Sequence, residues 1–263
     1  MQKIKFLLKY LKYRLTAKHA KGFGIHSPFL YELINDVIYD FTTYYAQDDI
    51  WELRQELLSD KRIIEVTDFG AGSHVMKSNK RKIKDIAKHS AVNEKFGELL
   101  FRLVVKFRPK TILEIGTSIG LGTLYLAMPD SRNVVYSLEG CPETAKIAKE
   151  NFDILEVKNI KQIIGNFDKT LPKLLNETNN LDFVYFDGNH TKEATIKYFE
   201  MCLPKINNNT IFVFDDIHWS PGMSQAWNYI KQSQKVKLTV DLFFSGIVFF
   251  KKELSKQDFV VKF

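Results

Sequence analysis

The sequence contains only two cysteines, Cys141 and Cys202, in 263 residues. Because they lie far apart and have no second pair, neither a disulfide framework nor a thiolate zinc site is indicated. No apolar run approaches the roughly 20 residues that a membrane-spanning helix needs, and Lys interrupts the opening segment too often for a signal peptide. We therefore expect no transmembrane segment and a location in the reducing cytoplasm.

Acidic residues are outnumbered by basic ones. The 38 Lys and Arg residues and the 31 Asp and Glu residues give a formal net charge of +7. Much of the excess falls in two clusters. They comprise Lys3, Lys5, Lys9, Lys12, Arg14, Lys18 and Lys21, and then Lys77, Lys80, Arg81, Lys82, Lys84 and Lys88. Basic patches attract nucleic acid, and a basic amphipathic helix can rest on a membrane surface. A solvated helix face has the same composition and is the favoured interpretation.

The pattern of apolar residues changes near residue 110. Before it, helical spacing predominates, as in residues 3–19 and in further segments at 29–40, 47–59 and 79–107. After it, short apolar runs alternate with amphipathic segments. Strands are predicted at 111–115, 134–138, 160–164, 183–186, 211–214, 238–244 and 247–250, and helices at 120–128, 142–152, 168–177, 191–202 and 221–234.

This alternation indicates βαβ units and a parallel sheet. The last two runs are separated only by Ser245 and Gly246, which favours a hairpin and an antiparallel edge strand. The sequence therefore predicts an α/β fold with a Rossmann-like, seven-stranded, mostly parallel sheet, an antiparallel last strand and an N-terminal helical cap. We place the cap, which would contribute to substrate choice, at residues 1–93 and the Rossmann-like domain at residues 94–263.

The first predicted strand runs into a glycine-containing turn in the segment TILEIGTSIGLG at 111–122. Glycine lets the backbone approach a ligand closely because it has no Cβ. The spacing of Gly116, Gly120 and Gly122 departs from the G-x-G-x-x-G of pyrophosphate-binding turns. Glu139 ends the second strand, where a carboxylate can accept hydrogen bonds from both hydroxyls of a ribose. A surface carboxylate is the alternative, but its place at the carboxyl edge of the sheet favours a ligand.

The segment ILEIGTSIGLGTLYLA resembles the first motif of class I S-adenosylmethionine (SAM)-dependent O-methyltransferases, the group that includes catechol O-methyltransferase and its bacterial relatives. The similarity continues through VVYSLEGCPETAKIAKENF, IIGNFDKTLPKLL, LDFVYFDGNH and IFVFDDIHW. The resemblance implies SAM-dependent O-methylation of a small hydroxylated substrate. It implies that Glu114 and Gly116 line the methionine end of SAM, that Glu139 binds the ribose and that Asn166 and Phe167 flank the adenine. The complete set of implied cofactor contacts is Glu114, Gly116, Ser118, Gly120, Glu139, Asn166, Phe167 and Asp187.

The fourth and fifth predicted strands both end in acidic residues, Asp187 and the pair Asp215 and Asp216. Since neighbouring parallel strands end at the same edge of a sheet, three carboxylates are expected to converge there. Converging carboxylates repel each other unless a proton or a cation compensates them, and Mg²⁺ prefers oxygen ligands. The resemblance also implies a metal at these positions, although Asp216 stands where metal-dependent relatives have Asn. Mn²⁺ or Fe²⁺ would suit a set that includes histidines.

His190 and His218 follow these acidic residues in DGNH and DDIHW. Methyl transfer to a hydroxyl requires alignment and the removal of one proton, and His is suited to that task. His190 is the predicted base because it matches the position of a catalytic Lys in the catechol enzyme. His218 is predicted as a second base or a metal ligand. Helix capping by His190 and loop packing by His218 are the alternatives.

Other functions remain open from the sequence. Methylation of RNA or protein is favoured by the positive charge, but the fourth strand ends in Asp-Gly-Asn-His rather than an N-P-P-Y-like tetrapeptide. A catalytically silent SAM-binding protein and a homodimer are also compatible with the chain. The glycine cluster at 68–73 is interpreted as a turn near the substrate, with no assigned role.

Overall fold

The computed structural model of the protein describes residues 2–17, 24–67 and 78–263, and of residues 2–5 only the backbone. The glycine cluster at 68–73 lies outside the described residues, as do Lys18, Lys21 and Lys77 of the two basic clusters.

The α-helices are numbered in chain order. They are α1 Gln2–Thr16, α2 Pro28–Leu33, α3 Tyr45–Ser59, α4 Ile83–His89, α5 Glu94–Phe107, α6 Leu121–Ala127, α7 Pro142–Ile154, α8 Phe167–Glu177, α9 Lys192–Cys202 and α10 Pro221–Gln232. The strands are β1 Ile63–Glu65, β2 Lys80–Lys82, β3 Thr111–Ile115, β4 Val134–Glu139, β5 Ile160–Ile164, β6 Leu181–Phe186, β7 Ile206–Asp215, β8 Leu238–Asp241, β9 Ser245–Phe249 and β10 Gln257–Val260. A π-helical turn, Ile34–Ile38, continues directly from α2.

The contacts between residues divide the chain into two compact units. One, here called the terminal unit, combines Met1–Asp40 with Asn180–Phe263, and the other, here called the central unit, is Phe41–Asn179. The helix α1 therefore groups with the last third of the chain rather than with α3 to α5. The predicted boundary at residue 93 stays a prediction.

The central unit contains three parallel strands in the order β3-β4-β5. Their short apolar runs are bounded by turn residues. The strand β3 is buried from Ile112 to its end, whereas the residues of the edge strand β5 are half-buried or exposed. The amphipathic helix α5 begins where the side chain of Asn93 accepts a hydrogen bond from the Phe96 N–H, and it ends at Arg108, which has a left-handed backbone and precedes a proline. The short strands β1 and β2 pair antiparallel.

The terminal unit contains five strands in the order β10-β8-β9-β7-β6. Pairing is parallel between β6 and β7 and antiparallel on both sides of β9, which agrees with the predicted antiparallel last strand. Two details of the prediction were wrong. The strand β9 lies between β7 and β8 rather than at an edge, and its hairpin turn comprises residues 242–244, where Phe243 has a φ of 74°. The sequence also gave no signal for β10, which pairs parallel to β8.

The mostly parallel strands with flanking helices confirm the predicted α/β, Rossmann-like class, and α1 confirms an N-terminal helix. Each of the seven predicted runs forms a strand. Within the part of the chain that the structure describes, no helix is long and apolar enough to cross a membrane.

Candidate active site

The glycine turn (residues 116–122) connects β3 to α6 in the central unit. Gly116 has a φ of 109° and Gly120, which caps α6, has a φ of 87°, both in the left-handed region that favours glycine. Gly120 also has no room for a side chain, since an added Cβ would lie 2.5 Å from a ring carbon of Phe152. The side chain of Asn151 donates a 2.8 Å hydrogen bond to the carbonyl of Ile119. The turn is therefore a fixed loop whose shape depends on glycine.

Glu139, the last residue of β4, is joined directly to this turn. One oxygen of its carboxylate accepts a 2.6 Å hydrogen bond from the N–H of Ser118, and the other accepts a 2.8 Å bond from the N–H of Cys141. Burial raises the pKa of Glu139, and the hydrogen bonds from Cys141, Ser118 and Thr144 oppose that shift. The carboxylate is thereby held in one orientation at the carboxyl end of the strand, with lone pairs left for further donors.

Glu114 lies deeper in the same unit and is fully buried. One oxygen of its carboxylate accepts hydrogen bonds from the hydroxyls of Thr123 and Ser137. These bonds tie β3 to α6 and β4 beneath the glycine turn. The contacts support a role in holding the turn, and the predicted contact of Glu114 with the methionine end of SAM stays a prediction.

The end of β5 comes next to the end of β4. The N–H of Gly165 donates a 2.8 Å hydrogen bond to the carbonyl of Glu139, and Gly165 has a φ of 141°. The following residue, Asn166, caps α8 by accepting a 2.8 Å bond from the N–H of Asp168, and Phe167 is the first residue of that helix. The structure thus brings the predicted ribose residue and the predicted adenine residues to successive strand ends of one unit.

The acidic residues of the terminal unit also meet. Asp187 directly follows β6, Asp215 ends β7, and Asp216 has a left-handed φ of 54°. Burial, the neighbouring charges of Asp187 and Asp216 and a hydrogen bond to Asp187 hold the pKa of Asp215 well above its usual value. The structure thus brings the three predicted acidic residues together at the ends of two neighbouring strands, where burial and mutual repulsion disfavour the charged form of Asp215.

His190 belongs to the same group of residues. Its Nε2 lies 3.5 Å from a carboxylate oxygen of Asp187. Burial lowers the pKa of His190, but the hydrogen bond and charge of Asp187 and the charge of Asp216 outweigh it, so that the pKa is raised. With Nε2 directed at Asp187, the other ring nitrogen, Nδ1, is the one that can accept a proton.

The predicted metal ligands were Asp187, Asp215 and Asp216. Among the described residues, no group of three or more His, Cys, Asp or Glu side chains is arranged to hold a metal ion. The Mg²⁺ prediction therefore stays a prediction.

His218 has a different environment from His190. Its Nε2 lies 2.7 Å from a carboxylate oxygen of Asp241, and its Nδ1 lies 3.0 Å from Nζ of Lys9 in α1. Asp241 also accepts hydrogen bonds from Nε1 of Trp227 and from the N–H of Phe243. Since both ring nitrogens of His218 have partners, the contacts support a role in joining α1 to the end of β8.

Sequence reasoning missed several residues that shape these sites. Asp241 and Lys9 determine the surroundings of His218, and Asn151 and Cys141 hold the glycine turn and Glu139. The acid at the end of the run LTVD was a usable signal for Asp241. Lys9 gave no such signal because its partner is 209 residues away. Trp227 is buried, whereas Trp219 is exposed.

A family model described as "Methyltransferase domain" matches residues 113–217 of the chain. The chain is 28% identical to catechol O-methyltransferase of Mycobacterium tuberculosis over 131 residues, which is 48% of this chain and 57% of that protein. It is 29% identical to the uncharacterized RNA methyltransferase YljE of Lactococcus lactis over 99 residues, 36% of this chain and 21% of that protein. The chain resembles class I SAM-dependent O-methyltransferases.

The solved structures agree on the fold. The S-adenosylhomocysteine (SAH)-bound methyltransferase PaMTH1 of Podospora anserina superposes with a TM-score of 0.60 at 16% identity, over 81% of this chain and 91% of that one. At this identity, the likeness shows the class I methyltransferase fold and no more. The chain spans less than two thirds of the length of both sequence relatives described above.

Proposed function

We propose that the protein is a SAM-dependent methyltransferase that methylates a hydroxyl group of a small molecule. The observation that carries the proposal is the carboxylate of Glu139, fixed by the backbone of Ser118 and Cys141 beside a glycine-dependent turn. A matching methyltransferase domain at residues 113–217 supports it, as does the similarity to catechol O-methyltransferase.

The residues of the central unit fit the cofactor chemically. A carboxylate has about four lone-pair positions. The N–H groups of Ser118 and Cys141 donate to Glu139, and Thr144 and the N–H of Gly140 also interact with it. Two neighbouring ribose hydroxyls would share this carboxylate with those donors. The left-handed turn at Gly116 and Gly120 presents backbone without a side chain, which suits close approach of a ligand. When bound, SAM supplies a methyl group on a sulfonium.

The residues of the terminal unit fit the removal of a proton. Methylation of a hydroxyl forms an oxygen–methyl bond as the sulfur–methyl bond breaks, and it releases the hydroxyl proton. In the proposal, Nδ1 of His190 accepts that proton while Asp187 faces Nε2 and stabilises the resulting imidazolium. The raised pKa of His190, which the nearby carboxylates Asp187 and Asp216 cause against the effect of burial, favours the protonated product.

Metal assistance is a separate part of the proposal. A cation held by oxygens of Asp187, Asp215 and Asp216 would lower the pKa of a substrate hydroxyl and would offset the repulsion between these carboxylates. No step above depends on it. Purified protein that keeps its full rate in EDTA, with no response to added Mg²⁺ or Mn²⁺, would contradict it.

A methyl-transfer assay tests the activity itself. Purified protein is incubated with SAM labelled in the methyl group and with catechol, the substrate named for the M. tuberculosis relative, followed by a panel of small phenols and alcohols. Mass spectrometry of the product identifies the methylated atom. Transfer to oxygen that His190→Ala reduces supports the proposal, and transfer only to RNA or protein would contradict it. SAM binding that His190→Ala leaves intact, with no turnover on any substrate, would indicate a silent binding protein.

The remaining assignments have weaker support. Both cysteines are free and buried, which suits the proposed cytoplasmic location. A small molecule is the proposed partner, and homodimer formation is to be measured by light scattering.

A further inference from the structure

The inner face of α1 fixes the orientation of this helix on the terminal unit. The rings of Phe6, Tyr10 and Tyr13 lie with their centres 5.3, 5.0 and 5.1 Å from that of Phe243. The hydroxyl of Tyr13 donates a 2.7 Å hydrogen bond to the carbonyl of Val261. Four aromatic side chains therefore hold one side of the helix.

The basic residue on this inner face, Lys9, is already engaged. Its Nζ donates a 2.7 Å hydrogen bond to the hydroxyl of Ser224 and lies 3.0 Å from Nδ1 of His218. Desolvation lowers the pKa of Lys9. The polar and aromatic contacts together fix the rotation of α1 about its own axis. The face of α1 opposite to these contacts therefore points outward.

That outward face is apolar. It consists of four leucines, Leu7, Leu8, Leu11 and Leu15, whose exposed fractions are 55%, 60%, 48% and 86%. Successive residues of a helix are turned by about 100°, so these side chains fall within an arc of about 100°. We call them the leucine face. A contiguous row of exposed apolar side chains usually marks a surface that contacts something else.

The charges of α1 lie on both sides of the leucine face. By the same helical geometry, Arg14 falls about 20° before Leu7 and Lys12 about 40° beyond Leu8, and both side chains are exposed. The helix has five Lys or Arg residues and no Asp or Glu. An apolar stripe between two rows of cations matches a surface that has an apolar interior and an anionic boundary.

We propose that the leucine face of α1 binds the surface of an anionic lipid bilayer. Its leucines would enter the acyl boundary while Lys12 and Arg14 extend to the phosphates. Trp219 and Phe244, which are 41% and 49% exposed, lie beside Phe6 with ring centres 5.9 and 6.2 Å away. Because Phe6 belongs to the inner face of α1, these two rings contact the inner side of the helix and not the leucine face.

Charge complementarity favours this partner over two others. A second copy of the chain would bring two helices that carry only positive charge into contact across a two-fold axis. Nucleic acid suits the cations but gives four central leucines nothing apolar to contact. A bilayer of anionic lipid satisfies both the leucines and the cations.

The test is co-sedimentation of the full chain with vesicles made of equal parts of phosphatidylglycerol and phosphatidylcholine. Each basic residue near an anionic surface strengthens partition roughly fivefold, so Lys12→Gln/Arg14→Gln should weaken it by about 25-fold. Leu7→Ser/Leu11→Ser should weaken it by at least about tenfold, because two exposed leucines lose their apolar contact. Pure phosphatidylcholine vesicles should bind the protein far less well.

Two matched controls separate this face from exposed residues in general. Ile63→Ser/Ile154→Ser removes comparable exposed apolar surface elsewhere, and Lys158→Gln/Lys173→Gln removes two exposed charges elsewhere. Both should leave vesicle binding unchanged, and all variants should keep the circular-dichroism melting temperature of the original chain. Absence of binding to the anionic vesicles would overturn the proposal. So would equal losses in the controls, or a dimer in light scattering that Leu7→Ser/Leu11→Ser dissociates. RNA binding that is lost only with the two charges would overturn it as well.

Discussion

The two units each place a carboxylate at a strand end, but the surroundings of these carboxylates differ. In the central unit, Glu139 is held by the backbone N–H groups of Ser118 and Cys141. In the terminal unit, Asp215 lies near Asp187 and Asp216, and burial, together with repulsion from these two residues, raises its pKa well above the usual value. One arrangement keeps an acceptor in place for neutral donors such as ribose hydroxyls. The other places several acidic side chains next to His190.

The largest effect is expected from His190, which distinguishes a proton-handling site from a purely structural one. His190→Ala should reduce turnover by about 10²–10⁴-fold, the usual contribution of a positioned acid or base. SAH affinity should change less than turnover, because Glu139 and the glycine turn, which carry the proposed cofactor binding, belong to the central unit. His89→Ala, at an exposed helix end, is the control. An unchanged turnover rate for His190→Ala would contradict the proposed role of His190 as the base.

Gly120→Ala tests whether the central site depends on backbone shape. The φ of 87° costs an Ala roughly 1–2 kcal/mol, and the contact with Phe152 adds strain typical of overpacking. We expect urea denaturation to report a loss of about 2–4 kcal/mol in the free energy of unfolding, together with weaker SAH binding. Gly222→Ala, whose added Cβ meets no atom closer than 3.5 Å, should cost far less. Equal costs would mean that the turn tolerates a side chain.

His218→Asn compares the two histidines of the terminal unit. Loss of the donor to Asp241 should lower the free energy of unfolding by roughly 1–3 kcal/mol, because the carboxylate is buried and keeps fewer partners. Turnover of the folded variant should fall by less than about tenfold. A loss as large as that of His190→Ala would instead support the predicted role of His218 as a second base.

The smallest effect concerns the pH dependence of cofactor binding. Burial raises the pKa of Glu139 above its ordinary value, so its carboxylate becomes protonated at a higher pH than that of an exposed Glu. The protonated form has fewer acceptor positions for ribose hydroxyls. SAH affinity measured by calorimetry should therefore decrease as the pH falls through this raised pKa. An SAH affinity that stays constant from neutral pH down through the raised pKa of Glu139 would contradict the proposed role of Glu139 in binding the ribose.

The fold was largely predictable because its strands are short apolar runs bounded by turns. The run TILEI forms β3 at its predicted position, and α9 and α10 begin at a capping Thr191 and at Ser220 followed by a proline. The strand β10 escaped prediction because its sequence QDFV is mostly exposed and has no apolar pattern. Its pairing with β8 is a tertiary contact that local propensity does not encode.

Part of the candidate site was also predictable from the sequence. The positions of Gly116, Glu139, Asp187 and Asp215 followed from the rule that ligands bind at the carboxyl ends of parallel strands. The surroundings of His218 did not, because they depend on Asp241 and on Lys9, which is far away along the chain.

The most direct test of the central claim is calorimetry with SAH on the original chain, on Glu139→Gln and on Glu143→Gln, an exposed acid in the next helix. Hydrogen bonds to a charged acceptor contribute about 1.5–3 kcal/mol, so Glu139→Gln should weaken binding by about 10–100-fold while Glu143→Gln has no effect. Absence of SAH binding by the original chain, or equal affinity of Glu139→Gln, would contradict the account.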